Sequence, residues 1–252
     1  MVISLQATKK LWAALVMICA LAVILSAWAG DVAGRRALQG EGCTMDDLRP
    51  WQARIELRQS RIEELGRNDK ADCLIPGMAA QLEADWFFLL SYGPLNFAMF
   101  LLVLARGKIS PGLSRILLIF GALLTVAMVT GDISENATLL QLIHHPLDPA
   151  PGGPIVGSLV KWGSLAVASA TLGVLYLLPP VRPGTVILAL IACGAAALPA
   201  WGLIKGRPDF LNMSLLAFGI FWIAVLIHAI VVATASTPPI PSAQPAAKET
   251  AR

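Results

Sequence analysis

Six stretches of the chain are apolar almost without interruption: 11–30, 86–105, 115–143, 156–178, 185–204 and 211–235. Runs of about 18 or more apolar residues predict membrane-spanning helices, since a hydrocarbon core of roughly 30 Å needs about 20 residues at 1.5 Å each. The runs do not alternate with period two, so the roughly ten-residue strands of a membrane barrel are excluded. The predicted fold class is all-α, a polytopic integral membrane helix bundle of about six transmembrane helices. Polar residues gather instead between the first two runs, where 31–84 holds eight Lys/Arg and ten Asp/Glu. The chain thus divides into a first transmembrane helix (1–30), a small helical extracytoplasmic segment (31–84), a five-helix membrane bundle (85–235) and a Pro/Ala-rich, disordered cytoplasmic tail (236–252).

Composition agrees with this pattern. The chain is 56% hydrophobic and 14% charged, against about 25% charged in soluble domains. Its net charge of +3 is too small and too dispersed for a nucleic-acid surface. No Gly-rich phosphate loop, CxxC pair, HExxH or GxSxG motif occurs, so the sequence names no cofactor. The lipid bilayer is the first partner, and other membrane-protein subunits are the candidate further ones.

Short loops orient a membrane protein through their Lys/Arg content. With the N-terminus inside, the inner segments hold Lys9, Lys10, Arg106, Lys108, Arg115, Arg182, Lys248 and Arg252. The short outer loops hold Lys205 and Arg207. Both termini are therefore expected to be cytoplasmic, in a cytoplasmic (inner) or plasma membrane. The first run also matches a signal peptide with cleavage after Ala29. Retention as an anchor is preferred, and cleavage would leave the other spans unchanged.

Within 31–84, Leu48, Trp51, Ile55, Ile62 and Leu65 share one face of an amphipathic helix. Asp47 is the expected N-cap, Pro50 falls in the first turn and Gly66 ends the helix. Cys43 and Cys73 flank it in the compartment where disulfides persist. An unbroken helix over 48–65 is roughly 27 Å long, while the seven-residue return spans at most about 25 Å. Pairing of Cys43 with Cys73 therefore requires a break near Pro50 or a shorter helix. Cys19 and Cys193 lie in apolar spans and read as small buried hydrophobes. Trp28, Trp86, Trp162 and Trp201 fit an interfacial aromatic belt.

The third span carries the sharpest anomaly, "GDISEN". An ionised carboxylate at membrane depth costs several kcal/mol unless it is paired or faces water. Asp132, Glu135 and Asn136, at offsets of three and four, share one helix face that must turn into the bundle. Lys161 is the natural counter-charge. Asp85, Tyr92 and Asn96 line a stripe of the second span at the same depth. Three readings follow: a structural ion-pair network, a binding or transport site for a proton, metal ion or cationic ligand, and a metal-dependent membrane enzyme using Asp132, Glu135, His144 and His145. The first two, both non-enzymatic, are preferred over the third.

Overall fold

The computed structural model describes residues 5–38, 42–106 and 109–235; the expected disordered tail lies outside these residues. Of the described residues, 85% are helical and none is in a strand. The described residues form eight helices in order: α1 (Leu5–Leu38), α2 (Met45–Leu57), α3 (Arg61–Gly66), α4 (Ala71–Leu104), α5 (Pro111–His144), α6 (Val156–Tyr176), α7 (Pro183–Lys205) and α8 (Pro208–Thr234). Six of these, α1 and α4 to α8, are long and apolar enough to cross a membrane. The chain is an all-α, multi-pass membrane protein.

Local chemistry starts and stops these spans. The Ser110 hydroxyl caps α5 by accepting from the Leu113 amide, and Pro111, Pro183 and Pro208 open α5, α7 and α8 where a missing amide costs nothing. Gly206, at φ 60°, ends α7 in the left-handed region, which glycine enters without steric penalty. The spans then pack in sequence, α4 on α5, α5 on α6, α6 on α7 and α7 on α8, and α1 closes the ring against α4 and α8. Ser26 of α1 and Ser91 of α4 share a buried hydrogen bond of 3.0 Å, a polar tie within a lipid-facing pair.

Three helices overrun the bilayer. At 34 residues each, α1, α4 and α5 are about 51 Å long, well beyond a hydrocarbon core of roughly 30 Å. Their extended ends meet at one end of the bundle. Leu38 from α1, Leu74, Met78 and Leu82 from α4, and Leu139 and Ile143 from α5 bury the apolar face of α2 and α3. The second core therefore belongs to the membrane helices as much as to the segment between them.

The amphipathic helix expected over 48–65 is broken. Thr44, not Asp47, is the N-cap; Asp47 sits at N3 and its carboxylate accepts from the Thr44 amide, completing a capping box. The start is earlier than expected, so Pro50 lies in the second turn. Lys70, with help from Thr44, holds the Asp47 carboxyl down to about 2. The break falls at Arg58–Ser60 rather than near Pro50. There the amides of Gln59 and Ser60 donate to Gly153 and Pro151 carbonyls at 3.0 Å each, and Ile155 donates to the Glu56 carbonyl. The Pro-rich α5–α6 loop thus satisfies backbone groups that an unbroken helix would have satisfied internally. With the helix split, Cys43 and Cys73 form a disulfide at a Cα separation of 6.2 Å, within the range such a bridge spans.

Two smaller expectations are corrected. Cys19 is buried, but Cys193 is exposed, on the outer surface of an apolar span. Trp28, Trp86 and Trp201 are exposed, whereas Trp162 is buried and takes no part in an interfacial belt.

Candidate functional site

The buried stripe of α5 runs through Gly131, Asp132, Glu135, Asn136 and Leu139, with Ile133, Ser134 and Ala137 on the exposed side. Glycine decides what faces it. A Cβ on Gly131 would lie 2.6 Å from the Lys161 amide nitrogen, and one on Gly157 would press into the Glu135 backbone. The α5 and α6 backbones therefore touch at Gly131 and Gly157. Lys161 follows Gly157 by four residues, one turn further along α6, and so lies directly against the acids.

The Lys161 ammonium donates to Asp132 Oδ1 at 3.0 Å and to Glu135 Oε1. It also lies 4.9 Å from the centre of the Trp162 ring, within cation–π range. Asp132 accepts a second bond through Oδ2, from the Tyr92 hydroxyl at 2.9 Å. Glu135 is less well served: Oε2 is buried without a partner among the described residues. Asn136 donates its side-chain amide to Asp85 Oδ2 at 2.8 Å. Asn96 turns back to the Tyr92 carbonyl of its own helix and makes no bond to the acids.

One member of this network was not singled out in the sequence. Glu56 of α2 is 4% exposed and accepts from the Trp162 indole at 3.1 Å. Burial pushes its carboxyl above the usual range, with the nearby Lys161 charge opposing the shift. Its signal was positional: Glu56 lies eleven residues after the buried Met45, almost the same angle on the helix, so a charge stands on the apolar face of α2.

Glu56, Asp85, Asp132, Lys161 and Trp162 of this network line a cavity of about 710 Å³ bordered also by α1 and α8. Five carboxylates line it, from Asp31, Asp46, Glu56, Asp85 and Asp132, against two cations, Arg49 and Lys161. Arg49 is paired with Asp31 at 3.0 Å and approaches Asp46 at 3.9 Å. Lys161 is committed to Asp132 and Glu135. Glu56 and Asp85 are left with neutral donors, an indole and a carboxamide. Phe88, Trp162 and Trp222 add aromatic walls, and Ile24, Leu215, Leu216 and Ile223 form an exposed apolar rim.

His144 and His145 are not brought to the acids. Both are exposed at the end of α5, and His145 reaches only Asp148, at 4.0 Å. His144 lies nine positions after Glu135 on the helix, about 13 Å along the axis. No group of three or more His, Cys, Asp or Glu side chains converges to hold a metal among the described residues. No protein-family model matches the chain, and comparison with curated proteins and with solved structures finds no match.

Proposed function

We propose that this protein is a non-enzymatic membrane module that binds an organic cation in the acidic cavity, as a binding or transport component. The reading rests on one observation: Glu56 and Asp85 line the cavity bonded to neutral donors, an indole and a carboxamide, and neither is in an ion pair among the described residues. Carboxylates in excess of cations in a low-dielectric site favour a positive guest. Aromatic faces add cation–π attraction for an ammonium or phosphonium group. The exposed apolar rim suits a cation with hydrocarbon substituents, entering from the lipid side. Enzymatic use of Asp132 and Glu135 with His144 and His145 finds no support in this arrangement, because the histidines stand outside the cavity.

Equilibrium dialysis with tetraphenylphosphonium tests this on the purified, full-length protein. Saturable binding is expected, weakened about tenfold by Glu56→Gln or Asp85→Asn, a loss of about 1.4 kcal/mol each. Both substitutions keep the side-chain shape and an acceptor oxygen. Absence of saturable binding, or unchanged affinity in both variants, would defeat the proposal.

For orientation we infer that both termini are cytoplasmic, in an inner or plasma membrane, so that the cavity lies towards the outer leaflet. Lys9, Lys10, Arg106 and Arg182 gather at the end away from α2 and α3, as the bias of Lys/Arg towards the inside requires. A single cysteine introduced at Ala150 should react with an impermeant thiol reagent in intact cells. One at Ser110 should react only after permeabilisation. The reverse pattern would invert the topology.

A further inference from the structure

The end of the bundle opposite the acidic cavity carries a second cleft, of about 960 Å³, between the start of α1, the end of α4 and the facing surfaces of α7 and α8. Its charge is the reverse of the first. Lys9, Lys10, Arg106 and Arg182 line it, and no carboxylate does so among the described residues. None of the four is in an ion pair among the described residues. A loose positive-inside bias needs only exposed, solvated side chains; this cleft differs. Arg106 Nη1 is buried with no hydrogen-bond partner among the described residues, and so is His228 Nε2. The Tyr176 ring holds both in place, with the Arg106 guanidinium 5.4 Å from its centre and the His228 imidazole edge-on at 5.8 Å. Leaving a buried charged donor unsatisfied is costly, and an anion that accepts from it removes that cost. The first turn of α7, at Gly184 and Thr185, also lines the cleft and directs the positive end of a 23-residue helix into it.

Beneath the charged groups the walls become apolar, through Leu188, Ile227 and Val231. Ile227 and Val231 are also well exposed on the outside of α8, where the membrane would lie. The shape therefore demands an anion at one end and hydrocarbon at the other.

We propose that this cleft binds an anionic phospholipid, its phosphate between Arg106 and Arg182 with Lys9 and Lys10 at the rim, and an acyl chain laid along the α7–α8 groove. Basic pockets between membrane helices on the cytoplasmic side hold lipid headgroups by this combination. The site is separate from the acidic cavity and does not depend on what that cavity binds.

The test measures phosphatidylglycerol and phosphatidylcholine bound to the purified full-length protein in neutral detergent, by native mass spectrometry across a lipid titration. Phosphatidylglycerol should bind saturably and in clear preference to phosphatidylcholine. The double variant R106Q/R182Q should weaken phosphatidylglycerol about 30-fold, corresponding to about 1 kcal/mol for each basic residue removed, and leave phosphatidylcholine unchanged. R182Q alone, at an exposed cap position, should give about a fivefold loss if the double variant fails to fold. Gel filtration and the melting temperature in detergent report folding independently. Equal binding of the two lipids, or a phosphatidylglycerol preference that survives these substitutions, overturns the proposal. Full displacement of the lipid by inorganic phosphate would overturn it too, and would identify a free phosphate as the ligand.

Discussion

Lys161→Met should destabilise the folded protein by about 3–5 kcal/mol, because removing one partner of a buried ion pair leaves the other uncompensated. Here two carboxylates lose their cation together, and they are not equally exposed to the loss. Asp132 retains the Tyr92 hydroxyl. Glu135 retains nothing: Lys161 is the one donor to Oε1, and Oε2 has no partner among the described residues. The double variant Lys161→Met/Glu135→Leu should therefore recover most of the stability. Lys161→Met/Asp132→Leu should recover little, since it keeps Glu135 unpaired and leaves the Tyr92 hydroxyl its longer bond to the Met128 carbonyl, at 3.4 Å. Equilibrium unfolding in a fixed detergent, read by tryptophan fluorescence, orders the three variants. If the Asp132 double variant proved the more stable, the assignment of Glu135 as the dependent partner would be wrong. Cation binding in the Glu135 double variant adds a second readout. Its survival would mean that the ion pair serves the fold alone, and its loss with the fold intact would make the charge itself part of the site.

Gly157→Ala should cost about 1–3 kcal/mol, towards the upper end, although it adds a single methyl group. The new Cβ would stand 2.9 Å from the Glu135 Cα and closer still to the Glu135 amide nitrogen. Those are backbone atoms, and no rotamer change moves them aside. Helices α5 and α6 must separate, and that separation draws Lys161 off Asp132 and Glu135. The two effects are consequently coupled. In the Lys161→Met/Glu135→Leu background the same substitution should cost measurably less, because no ion pair remains to be stretched. Additive losses would show that the glycine contact and the ion pair are independent. Gly163→Ala, on the same helix with nothing within 4 Å of its Cβ position, is the control and should be close to neutral.

The network was partly legible before any coordinates. Asp132, Glu135 and Asn136 declare a common face by spacing alone, and at membrane depth an acid declares the need for a partner. Asn96 matched the same logic and yet bonds to its own backbone, since a carboxamide, unlike a carboxylate, is satisfied by one nearby carbonyl. His144 and His145 matched it by proximity in sequence, but the helix carries them past the acids to an exposed end. Spacing puts Glu56 on the apolar face of α2, but in a segment so rich in charges only the packing of α2 across the bundle makes it a buried carboxylate.

Length, hydropathy and turn chemistry determined the spanning helices and their number. These are one-dimensional properties: a run of apolar residues must leave water, and proline at a first helical position marks a start wherever the helix goes. The break of the helix expected over 48–65 at Arg58–Ser60, the closure of α1 against α4 and α8, and the opposed charges of the two cavities were decided by tertiary structure. Each depends on groups far apart in the chain meeting at a distance of a few ångströms. The α5–α6 loop offers its carbonyls to amides more than 90 residues earlier, and two glycines on different helices determine that Lys161 meets Asp132 and Glu135. Spacing along a helix tells which side chains share a face, but only the packing of helices tells what that face meets.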